Sequence, residues 1–224
     1  MPPAGAAAAL IDFLFAGDSD DSESPARDIR ARGRTAAPYP STSAPSAAEA
    51  PLIARVNAGD RDAFSLIYRD HYAGMWRLAH RLTGSDDIAC DVVHDIFLNV
   101  WHKRASWAPH ATLREYFLRA ARNESLRVLA HDAVVHKHAG VVRHTVTSTP
   151  AATDDVSVQD DLERAVVRAI AELPERQRSA FLLRWDEELS TAAIGRVLGI
   201  SDVAAGKLIA KAQRTLRDVL QRFR

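Results

Sequence analysis

Cys90 and His94 stand four residues apart, a spacing that can place two metal ligands on one helix face. No second pair at matching spacing accompanies them. Cys90 is also the only cysteine, so neither a disulfide framework nor a thiolate zinc cluster is available. Histidines gather in HDAVVHKHAGVVRH at 131–144. That composition suits metal binding or a pH-sensitive linker, and its plainer account is a flexible, solvated segment. No phosphate loop, nucleophile elbow or paired-carboxylate constellation occurs, so the residues support no enzyme, no cofactor and no metal site. What remains chemically distinctive is cationic. On a wheel of about 100° per residue, Lys207, Lys211 and Arg214 line one side of a helix, and Leu208, Ile209, Ala212, Leu216, Val219 and Leu220 line the other. A basic stripe of that kind suits a phosphate backbone or a groove.

The elements that must position this stripe are legible. Leu198-Gly199-Ile200-Ser201 predicts a tight turn between two helices, with Gly199 in a left-handed conformation and the Ser201 hydroxyl capping the next helix. The result is the layout of a helix-turn-helix reader of DNA. Upstream, Leu162, Val166, Val167, Ile170 and Leu173 recur at helical steps, and Pro174 can open the following helix. Earlier still, Leu52, Val56, Phe64, Ile67, Tyr68 and Tyr72 follow the same period, as do Met75, Leu78, Ala79 and Leu82. Gly84 ends that helix and Ser85-Asp86-Asp87 caps the next, whose apolar side is Ile88, Val92, Val93, Ile96, Phe97, Val100 and Trp101. A loop at 104–112 and a helix from about Leu113 to Ala130 complete this part.

The chain therefore reads as all-α, in two small helical domains. Residues 51–131 form the first and 162–224 the second, with a flexible acidic linker at 132–161 and a disordered extension at 1–50. The 224 residues carry no net formal charge, but that average hides an alternation. Seven acids face four bases in 1–50, and five face two in 132–161. Bases outnumber acids eleven to nine in 51–131 and ten to six in 175–224. The helical parts are mildly basic, as nucleic-acid binding asks. Within the tail, Leu10 to Phe15 forms an apolar patch, either a docking peptide or a chance cluster. No apolar run is long enough to span a membrane, and the start lacks the cations of a secretion signal, which points to the cytoplasm.

With both parts in view, the sequence resembles the extracytoplasmic-function group of bacterial sigma factors. The resemblance rests on AGDRDAFSLIYRDHY, RLTGSDDIACDVVHDIFLNVWHKR and LREYFLRAARNESLRVL in the first part. In the second it rests on LPERQRSAFLLR and LSTAAIGRVLGIS. It implies a first domain like sigma region 2, a second like region 4, and partnership with core RNA polymerase and promoter DNA. By this resemblance Asp91, His94, Asp95, Asn99 and Lys103 face the polymerase. Trp107, His110, Arg114, Tyr116, Arg119, Arg122, Asn123 and Arg127 serve the opened −10 element, where cations meet phosphates and flat groups meet splayed bases. Tyr116 and Trp107 read equally as core residues. Arg196, Ser201, Asp202, Ala204, Lys207, Lys211 and Arg214 belong to −35 recognition. Members of this group are often held by an anti-sigma protein, although no residue here shows one.

Some positions depart from the family pattern. Cys90 and His94 replace a usual Glu and Gln, and Arg127 replaces a common Asp. The run Ala204-Ala205-Gly206 lacks expected cations, and a glycine inside a helix costs about 1 kcal/mol relative to alanine. Such changes fit an unusual promoter, reliance on a partner, or weakened activity. Two other readings stay open: a stand-alone helix-turn-helix regulator, and a degenerate module that titrates polymerase or an anti-sigma protein.

Overall fold

The computed structural model describes residues 45–139 and 158–221. Among them are eight α-helices and one 3-10 turn, with no strand. The first unit comprises α1 (Glu49–Asn57), α2 (Arg61–Thr83), α3 (Asp86–His102), the 3-10 turn Arg104–Ser106 and α4 (Leu113–Ala139). The second comprises α5 (Val158–Glu172), α6 (Glu175–Trp185), α7 (Thr191–Leu198) and α8 (Asp202–Leu220). The apolar patch at Leu10–Phe15 and the middle of the expected linker lie outside the described residues. Three boundaries differ from the sequence expectation, one of them the start of α5 at Val158, four residues inside the segment read as linker. Helix α1 begins at Glu49, inside the segment read as disordered, and α4 continues to Ala139, inside the segment read as linker. No Gly or Pro interrupts 113–139, so nothing local stops the longer helix.

Helix ends follow their capping residues. Asp60 accepts from the amides of Asp62 and Ala63, and Gly84 closes α2 with φ 73°. Ser85 caps α3 through Ile88 N–H, Ser190 caps α7 through Ala193 N–H, and Ser201 caps α8 through Ala204 N–H. At α4 the Thr112 hydroxyl accepts from Glu115 N–H at 3.3 Å, and a second cap comes from afar: a Glu49 carboxylate oxygen accepts from Leu113 N–H at 2.9 Å. Ser46 and Glu49 meanwhile exchange bonds in the manner of a capping box.

Helix α2 packs on both α3 and α4. Their shared core centres on Phe97, whose ring lies 4.7 Å from Tyr68 and 5.0 Å from Phe117. Met75, Val93, Val100, Leu113 and Ala121 surround it. The second core is built on Phe181, Leu182, Leu183, Ile194, Ala205, Ala212 and Leu216. Leu78 and Leu82 of α2 and Leu118 of α4 are buried in this second core, not the first. The two units are therefore joined by apolar packing as well as by charge.

Candidate nucleic-acid and polymerase interface

Helix α3 separates its faces cleanly. Val92, Val93, Ile96, Phe97 and Val100 are buried, while Asp91, His94, Asp95 and Asn99 are exposed, with Lys103 just beyond the last turn. Leu98 stands among them at 53 % exposure, an apolar contact that the sequence reading passed over. The His94 ring reaches the Tyr68 hydroxyl at 3.5 Å, and Cys90 lies 3.8 Å from the Tyr72 hydroxyl. Among the described residues there is no group of three or more His, Cys, Asp or Glu that could hold a metal ion.

The residues read as −10 contacts are dispersed. Trp107 is buried at 6 % exposure, edge-on to Tyr116 at 5.8 Å, with its indole N–H unpartnered. Tyr116 also lies edge-on to Phe117, so both rings form part of the core wall. His110, Arg119, Asn123 and Arg127 are exposed. The Arg127 guanidinium pairs with Glu124, whose carboxyl it holds below the usual range. Arg114 and Arg122 turn instead toward the second unit.

That turn reveals a layer of charge between the units. Glu187 is 3 % exposed, and its carboxylate receives Arg77 of α2 at 2.8 Å and Arg114 of α4 at 3.4 Å. Arg114 also donates to the Glu187 carbonyl at 2.6 Å. Arg81 sits 3.4 Å from Asp186, whose carboxyl is pushed up by burial and partly relieved by Arg81. Arg122 pairs with Glu175 and donates to the Ser179 hydroxyl at 3.1 Å. Arg196 of α7 donates from Nε and Nη2 to the two carboxylate oxygens of buried Glu115, at 3.0 and 2.6 Å, and that pairing raises its pKa. Gly74 has the room this layer needs, because a Cβ there would meet a Glu187 oxygen at 2.8 Å. Sequence reasoning missed Glu115, Glu175, Asp186 and Glu187. In Trp185-Asp186-Glu187-Glu188 an acidic turn looks solvated, and no periodicity marks the residue that points inward. Glu188 takes φ 49°, the turn that follows Glu187.

The helix-turn-helix is formed by α7 and α8. Gly199 adopts φ 68°, and Gly195 permits the close return of the turn, since a Cβ there would lie 2.9 Å from the Ile200 carbonyl. Ala205, Ile209, Ala212, Leu216 and Leu220 are buried, whereas Ser201, Asp202, Lys207, Lys211 and Arg214 are exposed and Ala204 is half-buried. Lys207, Lys211 and Arg214 form no ion pair among the described residues. This unspent stripe can meet phosphates, with the leading turn Ser201–Ala204 free to approach base edges. Arg196 lies away from it, committed to Glu115.

Comparison with known proteins agrees with this geometry. Residues 67–133 match the family model for sigma-70 region 2, and residues 163–216 match that for sigma-70, region 4. The chain is 29% identical over 178 residues to the ECF RNA polymerase sigma factor SigL of Mycobacterium tuberculosis, covering 75% of this chain and 97% of that protein. It is 23% identical over 177 residues to SigW of Bacillus subtilis, another ECF sigma factor, covering 75% and 95%. Among solved structures, CnrH in complex with the cytosolic domain of CnrY shares the fold with a TM-score of 0.59 at 20% identity, covering 78% of this chain and 97% of that one. The sigma factor RpoE of Bartonella quintana, in complex with the anti-sigma factor NepR, gives 0.54 at 21%, covering 72% and 96%.

Proposed function

The chain belongs to the sigma-70 family, in its extracytoplasmic-function group, and from that premise we propose which of its surfaces meet polymerase and promoter. As a sigma factor it binds core RNA polymerase and directs promoter-specific transcription initiation, a regulator rather than a catalyst. It works where the polymerase is, in the cytoplasm, and no helix among the described residues is long and apolar enough to cross a membrane. Asp91, His94, Asp95, Asn99 and Lys103 form the polymerase-facing side of α3, with Leu98 at its centre. Arg114, Arg119, Arg122, Asn123 and Arg127, with His110 from the loop, serve the opened −10 element. Tyr116 and Trp107 support that surface from within. Ser201, Asp202, Ala204, Lys207, Lys211 and Arg214 read the −35 element, and Arg196 holds the supporting helix. An anti-sigma protein is a further partner, by analogy with the neighbour that binds NepR.

The observation that carries this reading is the order of the two matched regions on two separate, oppositely specialised helical surfaces: an exposed acidic face on α3 and an unpaired basic stripe on α8. A stand-alone repressor has no use for the first. The test is run-off transcription on fragmented genomic DNA from the host, with purified chain added to core polymerase free of other sigma factors. Discrete starts that share two upstream elements are expected, and Asp95→Arg with Leu98→Asp abolishes them by blocking assembly. Co-elution with core polymerase without any start would instead mark a titrating module.

A further inference from the structure

Arg77, Arg81, Arg114 and Arg122 come from two adjacent helices of the first unit, and every carboxylate they pair with belongs to the second. None has an ion-pair partner in its own unit among the described residues. Arg77 and Arg114, on different helices, converge on the one carboxylate of Glu187. Guanidinium groups that meet around a single anion are arranged as a phosphate requires, and arginine's planar fork suits either oxyanion.

We propose that Arg77 and Arg81 join Arg114 and Arg122 in one strip that holds phosphates of the opened promoter strand, and that in the closed chain Glu175, Asp186 and Glu187 occupy it in the strand's place. The inference rests on the sigma-factor reading and adds two residues of α2, which neither the −10 pattern nor the resemblance had assigned. The second unit acts here as a built-in mimic of nucleic acid. The pair Glu115–Arg196 runs the other way, acid on the first unit and base on the second, and so fixes the register in which the acidic edge meets the strip. Separation of the units leaves four arginines without a counter-anion around Leu78, Leu82 and Leu118, and a single strand supplies what they lose. The free chain is thereby kept from binding single strands on its own.

Gly74→Ala tests this without altering any charge, because its Cβ would stand 2.8 Å from the Glu187 oxygen and displace that side chain. Full-length chains are compared for binding of a labelled single-stranded oligonucleotide by fluorescence anisotropy at low salt. Energy transfer between dyes on α3 and α8 reports separation of the units, and circular dichroism confirms folding. Gly74→Ala is expected to separate the units and tighten strand binding about tenfold, the factor by which a closed population near nine in ten lowers apparent affinity. Glu175→Gln/Asp186→Asn/Glu187→Gln is the second route to the open form, should the alanine be absorbed. Adding Arg77→Gln/Arg81→Gln to either returns binding to the parent level. Separated units with unchanged strand affinity would overturn the proposal, as would a gain that survives loss of Arg77 and Arg81. If the parent still co-elutes with core polymerase in that event, only the strip is lost; if it does not, the sigma-factor reading goes with it.

Discussion

Replacing Gly206 by alanine should raise the stability of the second unit, and the same replacement at Gly195 should lower it, although both glycines lie inside helices of one helix-turn-helix. Each change removes the same backbone liberty from the unfolded chain, worth about 1 kcal/mol in a helix. Space decides the sign. A Cβ on Gly206 would meet only the Thr191 methyl at 3.6 Å, an ordinary contact. One on Gly195 would lie 2.9 Å from the Ile200 carbonyl and 3.2 Å from an Asp202 carboxylate oxygen, within the turn itself. Backbone cannot swing aside as a side-chain end can, and overpacking of this kind costs about 1–3 kcal/mol. Gly206→Ala thus gains about 1 kcal/mol, and Gly195→Ala loses up to about 2 kcal/mol once the shared gain is subtracted. For a chain of this size each kcal/mol moves the melting temperature by about 2–4 °C. Thermal melts followed by circular dichroism would show one midpoint rising and the other falling. Two shifts of the same sign would refute the claim that contact at the turn, rather than helix propensity, governs these positions.

Charge and capping give further expectations. The Asp186 carboxyl is raised by burial, so the folded chain takes up its proton before the unfolded chain does as pH falls toward 3.8. This group therefore stabilises with falling pH, and the wild type should gain on Asp186→Asn between pH 7 and pH about 4 in urea midpoints; a constant difference would contradict the assignment. His71, stacked 5.0 Å from Phe117, has its pKa lowered by burial, so the unfolded chain protonates first and stability is lost as pH falls through 6.5. His71→Phe should flatten that loss, read as midpoints above and below pH about 6.5. Ser190→Ala and Ser201→Ala each remove a helix cap and should cost about 1 kcal/mol in chemical denaturation. Neutralising Lys207, Lys211 or Arg214 to Gln should lower the salt slope of promoter-duplex binding by about 1 for each, with no change in stability beyond a few tenths of a kcal/mol.

Sequence periodicity carried far for the helices and less far for the sites. Gly84, Ser85, Gly199 and Ser201 act through their own backbone or a hydroxyl three residues on, so their roles are local and readable. The faces of α3 and α8 follow from the 3.6-residue period for the same reason. Arg114, Arg122 and Arg196 were recognisable as cations, but their partners lie between 53 and 81 residues away. No period encodes such distances. Buried Glu187 was hidden among three consecutive acids, and Trp107 looked like a binding ring until the loop folded it against Tyr116. The length of α4 escaped because the histidine-rich segment lacks the apolar stripe by which a helix announces itself, although no Gly or Pro stands before Gly140 to end one.

The Glu49–Leu113 bond joins residues 64 apart and so has a bearing on the order of assembly. It closes a long loop, an entropic debt that forms late in refolding from denaturant, after α2, α3 and α4 have condensed. Synthesis reverses the circumstance, since α1 leaves the ribosome well before the start of α4 and waits for it. A chain truncated just past Glu49 would keep the three core helices and the Thr112 cap of α4, and leave Leu113 N–H without its carboxylate partner. Amide hydrogen exchange at Leu113 would then report on a carboxylate that belongs to the far end of the domain.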